Sequence, residues 1–209
     1  MIELFVYTED YYQLDGGIFV DKNNWSIFTI TSIFFIVQIV IMIALDYKDR
    51  HDYLRSVAGT TCFWIGYTFL EVKYHLKMNT YVRILIVLTI FFDALIGSYF
   101  DLYASSFIFD KVLHFFGSYA FSLFSYILVM QIQTTPIDRP VKFILVLCLG
   151  LSIGVSYEIL EFITDSISHP VPPSQPSLLD TDIDLIGDLI GASLAGFHAI
   201  SRKFINKEF

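Results

Sequence analysis

Residues 143–201 contain no lysine or arginine, yet they place seven carboxylates in and beside two apolar helical segments: Glu158, Glu161, Asp165, Asp180, Asp182, Asp184 and Asp188. An ionised carboxylate is expensive to bury without a partner. Such a set binds metal ions, keeps some members protonated, or lines a wet cavity. Glu158 and Glu161 are three apart, and Asp165 follows one turn later, so all three share one helical stripe. Asp180, Asp184 and Asp188 repeat every four residues and form a second stripe, with Asp182 off it at a position expected to be exposed. Asp110 and His114, four apart, share a face of a third helix. They are either an interfacial helix cap and a histidine satisfied by a neighbouring helix, or ligands or an acid/base pair facing the interior. In the functional reading Asp110, His114, Glu158 and Glu161 carry catalysis, and Asp180, Asp184 and Asp188 join those four as metal ligands. Carboxylates suit hard divalent ions such as Mg²⁺, Mn²⁺ or Ca²⁺, and the imidazole also admits Zn²⁺ or iron. Glu161 stands where the Glu-x-x-His pair of a di-iron bundle would have its histidine, which argues against that centre.

Other polar residues carry weaker signals. Lys111 lies off the Asp110–His114 face and is expected to snorkel to the surface. Asp101 stands near the same pole and could join the cluster. Asp93, two turns deeper, is either protonated or hydrogen-bonded to a neighbouring helix. Glu71 and His75 are expected at the interface of the opposite end, and His169 in solvent. Ser118, Ser122 and Ser125 lack a nucleophile motif and read as helix-packing residues.

These stripes need helices to hold them. The chain has 209 residues, 55% of them hydrophobic, and a mean hydropathy of +0.62. A helix crosses a hydrocarbon layer with about 20 residues, and six apolar runs approach that length: 26–45, 54–72, 83–103, 111–131, 143–163 and 183–200. The fold expected is an all-α, polytopic transmembrane helical bundle of about six spans, five if 54–72 does not cross. Residues 1–25 form an acidic N-terminal segment, 26–201 one transmembrane domain, and 202–209 a short basic tail. The acidic start is unlike a cleavable signal peptide, so the first span is expected to direct insertion. Cys62 and Cys148 both fall within spans, which disfavours a disulfide framework. A net charge of −8 argues against nucleic acid as a partner; lipids are the partners expected.

Short-loop lysines and arginines set orientation. With six spans and a cytoplasmic N-terminus, nine of the thirteen lie inside: Lys22, Lys73, Lys77, Arg83, Arg139, Lys142, Arg202, Lys203 and Lys207. Five spans with an external N-terminus place eleven inside. Both arrangements put the C-terminus in the cytoplasm and the acidic cluster on the extracytoplasmic side of a multi-pass cell-membrane protein. Pro170, Pro172, Pro173 and Pro176 stiffen the loop between the last two runs, a length of connection typical of lids or binding loops. Asp180 or Thr181 could cap the last helix. Gly187, Gly191, Gly196, Ala192 and Ala195 give that helix a thin face, and Gly150 with Gly154 does the same for its predecessor.

Three blocks resemble a known group of bacterial membrane proteins. Phe109-Asp110-Lys111-Val112-Leu113-His114-Phe115 resembles the Asp-Lys/Arg-x-x-His-Phe block of the YjdF-like (DUF2238) and VanZ-like families. Tyr157-Glu158-Ile159-Leu160-Glu161-Phe162 resembles the Tyr-Glu-x-x-Glu-Trp block of the former, with phenylalanine in place of tryptophan. The run from Asp180 to Ala192 is similar to its closing Asp-x-x-x-Asp and Gly-Ala signature, and to the VanZ-like Asp-x-x-x-Asn-x-x-Gly with Asp188 in the asparagine position. The VanZ-like resemblance implies a role in the cell envelope, because that family is linked to glycopeptide resistance. Three functional readings follow: a membrane-embedded, metal-dependent enzyme, such as a hydrolase, acting on a lipid or envelope precursor; a non-catalytic envelope protein stapled by these groups; or an ion- or proton-coupled transporter. The first requires a divalent metal ion as cofactor.

Overall fold

The computed structural model describes residues 11–13, 19–133 and 137–201. The basic tail, most of the acidic N-terminal segment and part of the loop after Ile132 lie outside them. Tyr11–Gln13 (β1) and Phe19–Asp21 (β2) form a two-stranded antiparallel ribbon with Tyr11 opposite Asp21. Seven helices follow: α1 Lys22–Tyr47, α2 His51–Tyr74, α3 Thr80–Phe92, α4 Leu102–Ser105, α5 Phe107–Ile132, α6 Arg139–Ser168 and α7 Leu178–Ala199. The α3 helix continues as a π-helical turn over Asp93–Tyr99. The expected all-α bundle is what the chain forms.

Local sequence sets the helix ends. Asn79 Oδ1 accepts from the Tyr81 amide at the start of α3, and Ser106 Oγ from Phe109 at the start of α5. The α7 cap is Ser177, whose Oγ accepts from the Asp180 amide; Asp180 and Thr181, expected as caps, lie inside the helix. Pro140 sits in the first turn of α6, where its missing N–H costs nothing.

The bundle keeps large apolar side chains on its outside. Ile36, Ile43, Phe69, Ile144, Ile159 and Phe197 are exposed, while Glu71, Arg83, His114, Glu158 and Asp184 are buried. That inversion suits a hydrocarbon solvent, with polar groups turned inward. Four helices are long and apolar enough to cross a membrane: Ile27–Tyr47, Thr80–Tyr99, Phe107–Ile132 and Arg139–Ser168. The α2 and α7 helices, at 24 and 22 residues, have the length but carry more charge. Both nevertheless run the full depth of the bundle. Arg50, just before α2, donates to Asp101 Oδ1 at 2.8 Å beyond the end of α3, whereas Glu71 in the last turn of α2 pairs with Arg83 in the first turn of α3. Glu71 is therefore buried against a cation, not interfacial as the sequence suggested.

The closest packing joins α5, α6 and α7. The thin faces meet here as expected. A Cβ on Gly191 would run into the Phe115 carbonyl of α5, and one on Gly150 into Ser122 and Ala192. The largest apolar core lies deeper, around Trp64, Tyr67, Val82, Ile86, Leu123, Phe124, Ile127 and Val146.

Candidate functional site

The α5–α6–α7 packing brings together the start of α5, the last third of α6 and the first turns of α7. His114, Glu158, Asp180, Asp184 and Asp188 are buried there, with Asp110 and Glu161 half-buried beside them. All seven residues expected from the sequence therefore meet at one end of the bundle. Asp182 is exposed, as expected.

The cluster has a cation that sequence reasoning turned the other way. Lys111 does not snorkel to the surface; its Nζ lies 2.7 Å from Asp184 Oδ2, 3.2 Å from Asp110 Oδ2, and bonds Asp180 Oδ1. Its side chain is 11% exposed. The reason is the line along which α7 crosses α5. Gly187 abuts the Lys111 carbonyl and Gly191 the Phe115 carbonyl, which puts Lys111 on the α7-facing side. Lys111, Phe115, Ser118 and Ser122 fall on one helical stripe, and it is this stripe that the small face of α7 covers.

A second set of contacts fixes His114. Its Nδ1 lies 3.3 Å and 3.4 Å from the two oxygens of Asp188, and Ser118 Oγ donates to Asp188 Oδ1 at 2.6 Å. Gly154 leaves the space that the Asp188 carboxylate occupies. The opposite ring nitrogen, Nε2, has no hydrogen-bond partner, although it lies 3.6 Å from Glu158 Oε1 and 3.9 Å from Asp110 Oδ1. Glu158 Oε1 and Asp184 Oδ1 are likewise buried and unpartnered. One atom each from Asp110, His114 and Asp184 lies within 4.8 Å of the others, and so does one each from His114, Glu158 and Glu161. Asp110 thus gives one oxygen to Lys111 and turns the other toward the histidine, while Asp184 gives Oδ2 to Lys111 and keeps Oδ1 buried without a partner. Asp180 and Asp188 stand outside those two groups, committed to Lys111 and to His114 with Ser118.

The remaining acids have other duties. Asp165 accepts the backbone N–H groups of Ser174 and Gln175 at 2.9 Å and 2.8 Å, which pins the proline-rich loop to the end of α6. From that loop the Gln175 side chain reaches Glu158 Oε2 at 2.6 Å, a contact no spacing could have revealed. Asp101 does not join the cluster. It takes hydrogen bonds from Arg50 and, at 3.1 Å, from Tyr53. The guanidinium holds its carboxyl below the ordinary range, with the Tyr53 hydroxyl adding to the effect against partial burial. Asp93 accepts from Tyr103 Oη at 2.5 Å, which satisfies one of its oxygens.

A cavity of about 490 Å³ opens beside the cluster. Asp93, Tyr103, Asp110, His114, Tyr157 and Asp188 line one part of it, and Phe63, Ile90, Leu113, Gly117, Phe121 and Ile153 another. Its size lies within the roughly 300–1,000 Å³ of small-molecule sites.

A family described as "Predicted membrane protein (DUF2238)" matches residues 27–203 of the chain. An uncharacterized protein of Thermotoga maritima is 31% identical over 137 residues, which cover 64% of this chain and 70% of the relative. No solved structure matches.

Proposed function

The chain belongs to the DUF2238 family of predicted membrane proteins, and we propose that the α5–α7 end is the divalent-cation site of a membrane-embedded enzyme acting on a lipid or cell-envelope precursor. The observation that carries this reading is a set of buried ligand atoms without hydrogen-bond partners, His114 Nε2, Glu158 Oε1 and Asp184 Oδ1, with His114 common to two ligand groups, one with Asp110 and Asp184 and one with Glu158 and Glu161. Unsatisfied buried polar atoms are rare and costly, and three where three helices meet around one histidine call for a cation. Asp110, His114, Glu158 and Asp184 would hold it. Asp188 would keep the proton on Nδ1 and leave Nε2 free to ligate, a second-shell arrangement common to metal-bound histidines. A bound divalent ion would supply Lewis acidity and make a coordinated water acidic near neutral pH. Glu161, half-buried beside His114 and Glu158, is the carboxylate left to accept a proton. Lys111 draws the outer oxygens of Asp110, Asp180 and Asp184 onto itself and so fixes the inner ones. The acidic end lies on the extracytoplasmic side and the basic loops in the cytoplasm.

Little supports a carrier. The ionisable residues buried at the opposite end of α2 and α3, Glu71 and Arg83, are closed on each other. Elemental analysis of protein purified in detergent without chelators tests the proposal. About one equivalent of a divalent metal per chain is expected in the wild type, falling at least tenfold in His114→Ala and Glu158→Gln. Metal-free wild-type protein that also fails to take up Mg²⁺, Mn²⁺ or Zn²⁺ on titration would overturn it.

A further inference from the structure

The cavity is open at the side, its open surface is almost wholly apolar, and the polar side chains that border it lie recessed at one end. Gly59 and Phe63 of α2, together with Ser156, Tyr157 and Leu160 of α6, both line it and are exposed on the outside of the bundle. The α2 helix packs on α1 and on the π-helical turn, and α6 packs on α5 and α7, with no extended seam between α2 and α6. The opening therefore faces sideways, at the depth of the hydrocarbon. Its deeper wall is apolar: Phe63, Ile90, Gly117, Phe121 and Ile153. Its shallower wall holds Asp93, Tyr103, Asp110, His114, Tyr157 and Asp188. That order, polar toward the acidic end and apolar toward the bilayer centre, is the order of a lipid in the leaflet at that end.

The recessed polar groups are of one sign apart from the imidazole. They include three carboxylates and one imidazole, and neither lysine nor arginine among the described residues lines the cavity. Asp93 is 6% exposed, and although its Oδ1 is held by Tyr103, its Oδ2 has no hydrogen-bond donor. The phenol rings of Tyr103 and Tyr157 border the same space, and aromatic faces attract cations. A buried carboxylate oxygen lacking a donor, beside two aromatic rings, fits an ammonium group. The π-helical turn that begins at Asp93 is a departure from α geometry often found where a side chain must be aimed at a ligand.

We propose that a bilayer lipid with an ammonium headgroup enters this cavity sideways between α2 and α6, its acyl chain against Phe63 and Phe121 and its ammonium on Asp93 Oδ2. This names the substrate class of the site described above and rests on that reading only for the lipid, not for the metal.

Native mass spectrometry of the detergent-purified chain, offered equal amounts of phosphatidylethanolamine and phosphatidylglycerol with identical acyl chains, tests it. The wild type retains phosphatidylethanolamine about tenfold over phosphatidylglycerol, the value of one charge-assisted hydrogen bond. Asp93→Asn brings that ratio close to one. Gly59→Phe, at an exposed position where an added Cβ meets nothing within 4 Å, narrows the opening without loading the core and lowers retention of both lipids. Equal retention by the wild type, an unchanged ratio in a folded Asp93→Asn protein, or full retention in Gly59→Phe would overturn the proposal. Metal content measured on the same samples separates the two readings. A tenfold lipid preference in protein that neither holds nor takes up a divalent metal supports this proposal while removing the cation site.

Discussion

Lys111 decides how the acidic residues coexist. One ammonium reaches three aspartates from two helices, and each contact joins α5 to itself or to α7. Removing one partner of a buried ionic cluster is far more damaging than replacing the whole cluster, because the charges left behind have neither water nor counter-ion. Lys111→Met keeps the aliphatic stem and deletes the charge. The expected cost is about 3–5 kcal/mol, read as a lower thermal midpoint in detergent, with part of the loss recovered on adding a divalent cation. An unchanged midpoint would place the ammonium outside the cluster. At this scale the sequence was legible for residue types and opaque for one orientation. The convergence of Asp110, His114, Glu158, Asp184 and Asp188 followed from their spacing within each helix. The direction of Lys111 depended on which side of α5 the next helix covers, and spacing within α5 leaves that open. Gln175 was hidden for a related reason: its reach to Glu158 depends on how Asp165 folds the proline-rich loop back.

Between elements, glycine sets how close the site's parts can come. Gly154 of α6 faces Asp188 of α7, and a Cβ there would lie 3.0 Å from the Asp188 Cβ and closer still to its carboxylate. The Gly150–Gly154 pair therefore does more than let two helices pack; it opens the space in which Asp188 turns toward His114. Gly154→Ala is expected to destabilise the protein by about 1–3 kcal/mol and to weaken divalent-metal uptake with it. Gly66→Ala on α2, where an added Cβ meets nothing within 4 Å, is the matched control. It should be neutral or stabilising by up to about 1 kcal/mol, because alanine suits a helix interior better than glycine. Thermal midpoints of the two variants should therefore move in opposite directions, and equal shifts would show that the added methyl at Gly154 never meets Asp188. The thin faces were readable from small residues recurring along α6 and α7. Which carboxylate they made room for was not, since that needs the register of one helix against another.

Over the whole molecule, charge at the helix ends and the depth of α2 together give the orientation to be expected. The sequence left α2 ambiguous, because its apolar stretch is short and ends in Glu71. Its pairing resolves the geometry: Arg50 meets Asp101 at one end of α3, and Glu71 meets Arg83 at the other, so the glutamate that weakened the span is neutralised where it is buried. Six long helices then run alternately up and down, and the start of α1 and the end of α7 fall on the same side. With the basic residues near Arg139 and the tail held in the cytoplasm, both termini are expected to be cytoplasmic and the loop after Ser168 external. A fluorescent protein fused to either end should therefore fold and fluoresce, while alkaline phosphatase inserted among residues 170–176 should be active. Five crossings would instead put the two termini on opposite sides, so a fluorescent C-terminal fusion with a dark N-terminal one would remove α2 from the membrane. Dark fusions at both ends with inactive phosphatase would turn the acidic end inward. The lipids reaching the opening between α2 and α6 would then come from the cytoplasmic leaflet.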